Sequence, residues 1–126
     1  MSTIPRFNNS AKQDSSMGAI CREYRTPAYA VSMSIMTVAE KTLVAPANLS
    51  GPTKLNISVG EGANSAPYAN DTLEFLFTSS VGARVTMGSG IAASAPTLDI
   101  GTGEYGWLSF IFNGSVWVET GRTVTI

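Results

Sequence analysis

The stretch FIFNGSVWVE (residues 110–119) sets two apolar runs on either side of Asn113-Gly114. Asn-Gly is the strongest short signal for a two-residue type I′ turn, in which both central residues take positive φ and the twist suits the flanking strands. The predicted hairpin then has Phe112 facing Ser115, Ile111 facing Val116, Phe110 facing Trp117 and Ser109 facing Val118. Cross-strand partners share a side of the sheet. One face therefore carries Phe110, Phe112 and Trp117, and the other carries Ile111, Val116, Val118 and, further back, Trp107. Both faces are apolar, whereas a half-exposed hairpin alternates apolar and polar residues.

Working outward, the same punctuation recurs from Val31 onward. VSMSIMTV, KTLVA, KLNISVG, TLEFLFTSS, ARVTMG, TLDIG and RTVTI alternate or cluster apolar residues between Gly, Pro, Asn and Ser breaks. In TLEFLFTSS, Leu73, Phe75 and Phe77 fall on one side and Glu74, Leu76 and Thr78 on the other. No segment carries a helical period. The pattern predicts an all-β body of about eight or nine short strands, an antiparallel β-sandwich or jelly-roll-like domain over residues 31–126. Residues 1–30 lack sustained periodicity and predict an irregular, extended N-terminal arm.

Charged residues make up 13% of the 126-residue chain, and the net charge is −1. An ordinary soluble domain carries roughly 25%, so the surface is neutral and hydroxyl-rich. Arg6, Lys12, Arg22 and Arg25 outweigh Asp14 and Glu23, giving the arm +2, and the body carries −3. A basic arm on an acidic body suits a neighbouring copy or an acidic protein surface. Arg22, Tyr24, Arg25 and Tyr29 are of the types favoured as interface anchors. Lys and Arg outside the arm are scattered, so nucleic acid is not expected.

Histidine is absent and Cys21 is the only cysteine. Ser-His and Cys-His nucleophile pairs and His/Cys zinc sites are thereby excluded, as is an intrachain disulfide. The Gly-x-Gly triplets at Gly60, Gly88 and Gly101 open no helix, so they read as turns and not as phosphate loops. The acids Glu61, Asp71, Asp99 and Glu104 fall in or near loops, with no spacing that demands calcium or glycosidase chemistry. No cofactor, metal or enzymatic activity is expected. Tyr68, Asn70 and Asp71, on the longest loop, could contact a glycan, while Trp107 reads first as a packed residue. The start of the chain lacks a secretory pattern and no run reaches the ~18 apolar residues of a membrane span, so synthesis in a cytosol is expected.

The apolar second face is most economically covered by another subunit, which makes Leu76, Ile111, Val116 and Val118 the expected oligomer interface. The irregular basic start, the early strands in EKTLVAPANLSGPTKLNISVG and the ending GEYGWLSFIFNGSVWVETGRTVTI together resemble structural proteins of tailed-bacteriophage virions. The likeness is to capsid cement or decoration proteins and to the β modules of tail fibres, and it covers residues 31–126 at the level of pattern. It implies a virion protein, usually trimeric, made in the host cytoplasm and located on the capsid surface. The expected function is non-enzymatic: a decoration protein whose arm, through Arg6, Phe7, Arg22, Tyr24, Arg25 and Tyr29, grips the major capsid protein. The alternative is a tail-fibre or baseplate module that recognises a bacterial surface glycan.

Overall fold

The computed structural model describes residues 22–61 and 65–126. Arg6, Phe7 and Cys21 lie outside them. Ten strands follow in chain order: β1 (Arg22–Arg25), β2 (Ser32–Ile35), β3 (Lys41–Val44), β4 (Thr53–Ile57), β5 (Thr72–Thr78), β6 (Ala83–Met87), β7 (Ile91–Ala92), β8 (Thr97–Ile100), β9 (Tyr105–Phe112) and β10 (Trp117–Thr125). They form a six-stranded sheet in the order β1-β3-β5-β9-β10-β7 and a four-stranded sheet in the order β2-β4-β6-β8. The described residues contain no helix.

The chain passes from one sheet to the other at every step from β1 to β9. The return path for two neighbours in one sheet is thus a strand of the other sheet. Such a crossover lets neighbours run parallel without the helix that usually makes the connection. Five of the eight ladders are parallel: β1 with β3, β3 with β5, β2 with β4, β4 with β6, and β7 with β10. The ladders β5–β9, β9–β10 and β6–β8 are antiparallel. The all-β expectation therefore holds, and its antiparallel part gives way to two mixed sheets.

One apolar core lies between the sheets. Met33, Ile35, Leu55, Ile57, Val85, Leu98 and Ile100 enter it from the smaller sheet; Val44, Leu73, Phe75, Phe77, Leu108, Phe110, Phe112 and Trp117 enter from the larger. Phe75 stacks on Phe77 with ring centroids 5.3 Å apart and meets Phe110 edge-on at 6.0 Å. Trp117 is fully buried, and its indole N–H donates to the Ser58 carbonyl at 3.0 Å, so its one polar atom stays satisfied.

The opening hairpin forms with a different register. Trp117 pairs with Phe112, Val118 with Ile111 and Glu119 with Phe110. Four residues, 113–116, make the connection, and only Gly114 among them has positive φ, at 100°. A type I′ turn requires positive φ at Asn113 as well. Asn113 acts through its side chain, its Oδ1 accepting from the Ser115 and Val116 amides at 2.8 and 2.9 Å. That side-chain turn lengthens the loop and slips the pairing by two residues. Because the strand period is two, the residues that stay in the ladder next to the turn, Phe110, Ile111, Phe112, Trp117 and Val118, keep their expected faces.

A further expectation changes. Residues 22–25, placed in an irregular arm, form the edge strand β1, and Tyr29 donates to the Pro52 carbonyl at 2.7 Å. Burial alternates residue by residue from Arg22 to Ala30, a period too shallow to register as apolar alternation in CREYRTPAY. Asp99, in the expected strand TLDIG, lies within β8 and is held by Arg84.

Candidate interaction face

Among the described residues, no further layer covers the outer face of the six-stranded sheet. The registers place its residues in rows. Arg22, Lys41, Thr72, Ile111, Val118 and Ala92 form one row, and Tyr24, Leu43, Glu74, Ser109 and Gly121 form the next. Leu76, Trp107 and Thr123 follow. The face divides. Its β1–β3–β5 half holds the charges of these rows, with a shallow groove of about 400 Å³ lined by Arg22, Tyr24, Lys41, Leu43, Thr72 and Glu74. Its β9–β10 half mixes Ile111, Val118 and Trp107 with Ser109, Gly121 and Thr123, and a smaller groove of about 280 Å³ there is lined by Glu74, Trp107, Ser109, Arg122 and Thr123.

Of the expected interface residues, Leu76, Ile111 and Val118 fall on this outer side and Val116 lies in the hairpin connection, each half-buried within the single chain. Trp107 is 40% exposed among them, so its expected packed position is corrected. Trp107 sits one residue from the core-facing Leu108, and strand alternation alone turns it outward. Tyr24 is 64% exposed, and Arg22 is exposed beside it. Arg25 and Glu23 face the other side of the sheet, joined by two contacts of 2.9 and 3.0 Å.

The proposed glycan loop holds together less well. Asp71 is only 4% exposed, and its Oδ2 accepts from the Tyr68 amide at 2.9 Å. Its backbone N–H returns to the Tyr68 carbonyl at 3.0 Å, while its carbonyl accepts from Phe112. Asp71 therefore locks a tight turn, with Asn70 at φ 76°, against the hairpin end. Burial removes it from contact with an outside ligand. Tyr68 and Asn70 remain at the surface. Asp99 and Glu104 are not brought together as a catalytic pair. Hydrogen bonds from Arg84, at 2.7 and 3.1 Å, hold the Asp99 carboxyl below its usual range, and Glu104 accepts from the Gly101 amide at 2.7 Å. Among the described residues, no three His, Cys, Asp or Glu side chains cluster as metal ligands.

One polar cluster has no counterpart in the sequence reading. The β9–β10 pairing shifts between Glu119 and Gly121, leaving Thr120 as the extra residue of a β-bulge. A bulge reverses the alternation beyond it, so Glu119 and Arg122 come to the same side of the strand. Arg122 donates twice to the Glu119 carboxylate, at 2.7 and 2.8 Å, and also to the Thr97 and Ala95 carbonyls at 2.7 and 3.1 Å. The Ser94 amide and hydroxyl complete the carboxylate's shell at 3.0 and 2.9 Å. The Glu119 side chain is 3% exposed. Hydrogen bonds from Arg122, then from Ser94, outweigh burial and lower its pKa to about 2. The cluster ties β10 of one sheet to the segment that enters β8 of the other. Gly121 followed by Arg122, inside an alternating strand, was its one legible sign.

The chain matches no family model and no curated protein. No helix among the described residues is long and apolar enough to cross a membrane.

Proposed function

We propose that this chain is a non-enzymatic structural protein of a tailed-phage virion, a decoration protein that self-associates and seats on the outer surface of the head. The observation that carries the reading is the outer surface around β9 and β10, which sets two apolar pairs, Ile111 beside Val118 and Leu76 beside Trp107, on either side of the row of Glu74, Ser109 and Gly121. Apolar side chains exposed side by side on a sheet face favour a protein contact, and obligate subunit interfaces resemble a core cut in half. The low overall charge and the hydroxyl-rich remainder fit a protein that spends its working life packed among neighbours. The resemblance of the final hairpin to virion β modules supplies the setting, and a trimer is the expected assembly.

Two measurements test it. Light scattering after size exclusion reads the solution mass of the full chain, where a monomer at micromolar concentration refutes self-association. Co-sedimentation with phage heads lacking this protein reads attachment, and failure to co-sediment refutes the decoration role. A second reading, glycan recognition by a tail module, draws on exposed Trp107 beside Glu74, Ser109 and Thr123, since an aromatic ring ringed by hydroxyls and a carboxylate can stack a sugar. A blank glycan array with the full chain removes it.

A further inference from the structure

The edge of the six-stranded sheet beyond β1 is open among the described residues. Its backbone geometry is definite. Ala45 donates to the Arg25 carbonyl at 2.8 Å, and Ala47 donates to the Pro27 carbonyl at 2.8 Å. In a parallel ladder, alternate residues turn both backbone groups to the same neighbour. Glu23, Arg25 and Pro27 thus address β3, while Arg22, Tyr24 and Thr26 present their N–H and C=O groups to the open edge. An unpaired row of this kind is a template for an added strand.

The side chains select its chemistry. On the inner side, Glu23 and Arg25 neutralise one another. On the outer side, Arg22 lies in register beside Lys41, and neither makes an ion pair among the described residues. The outer-face carboxylate of Glu74 stands on β5, two strands in from the edge and beside the strand of Lys41. A strand laid along β1 therefore meets Arg22 first, with Lys41 behind it and Glu74 beyond in the same groove, so that positive charge leads at the edge beside the exposed ring of Tyr24. The other edges differ: β7 has only two residues, β8 has its Arg84–Asp99 pair formed, and β2 presents only Ser32 and Ser34 on its exposed side.

We propose that β1 is a docking edge for an extended acidic segment of a partner protein, which adds as a seventh strand with acidic side chains on the outer face beside Arg22 and Lys41. This interaction is separate from self-association through β9 and β10 and does not depend on it.

The probe is a seven-residue acetylated peptide alternating Glu and Val, titrated onto the full chain and followed by backbone amide NMR shifts. We expect shifts centred on Arg22, Tyr24 and Thr26. A Lys-for-Glu peptide should bind at least about tenfold more weakly, and the Arg22→Glu/Lys41→Glu double variant should invert that preference. N-methylation of the peptide amides in one alternating phase should abolish binding, while the other phase is tolerated. Equal binding of the Lys peptide, tolerance of both methylation phases, or no shift at Tyr24 overturns the proposal. So does a concentration-dependent shift of the Tyr24 amide without peptide, which would assign the edge to a second copy. Solution mass reads self-association independently, so either reading can fail alone.

Discussion

At the scale of single residues, Glu119 does the most for its size. Its carboxylate is ionised in the folded protein down to about pH 2, against an ordinary value of 4.5. A depressed carboxylate stabilises the fold fully above its unfolded pKa and loses that contribution as pH falls towards its folded one. The shift corresponds to at most about 3 kcal/mol. Acid titration of stability should therefore show a decline between about pH 4.5 and 2 that Glu119→Gln removes, together with a loss of about 1–3 kcal/mol at neutral pH. A Glu119→Gln protein with unchanged urea midpoint at pH 7 would contradict the clamp. Two glycines make a contrasting pair. Gly114 has φ 100° with open space around it, so Gly114→Val should cost only the backbone strain, about 1–3 kcal/mol. Gly90 has φ 81°, and a Cβ there would collide with the Ile57 carbonyl, so Gly90→Val should cost more than Gly114→Val in the same denaturation assay.

At the scale of elements, the hairpin shows what alternation specifies and what it leaves free. Phe110, Phe112 and Trp117 point inward in both the expected and the observed register, because a slip of two preserves every face. The loop was misjudged because Asn113 caps its own turn with a side-chain oxygen. Asn113→Ala should lower stability by about 0.5–1.5 kcal/mol, measured by thermal unfolding, since two amides lose their acceptor. β3 offers the opposite case. Thr42 is buried with a hydroxyl that has no protein partner among the described residues. Thr42→Val keeps the shape and removes the polar atom, and should be neutral to stabilising by up to about 2 kcal/mol in the same measurement. The bulge in β10 was missed because Gly121 read as a break before RTVTI and not as an irregularity within one strand, and with it went the Glu119–Arg122 pair.

At the scale of the molecule, the outer face of the six-stranded sheet joins the fold to the proposed assembly. Val118→Lys replaces a half-buried outer side chain, leaves the core untouched, and should lower the solution mass of the full chain while the dissociated chain keeps its folded circular dichroism spectrum. An unchanged mass would place the contact elsewhere. The all-β class, the inward set of Leu73, Phe75, Phe77, Phe110 and Trp117, and the outward set around Ile111 and Val118 were legible in the sequence by itself, because a strand's period of two is written directly into residue order. Strand direction, sheet membership and the bulge were decided only by the tertiary structure. A parallel ladder joins segments whose connection runs through the opposite sheet, and nothing local records which distant strand receives a given hydrogen bond. The burial of Asp71 and the edge that the described residues leave open at β1 follow from that choice of neighbours, since each depends on what another part of the chain places beside it.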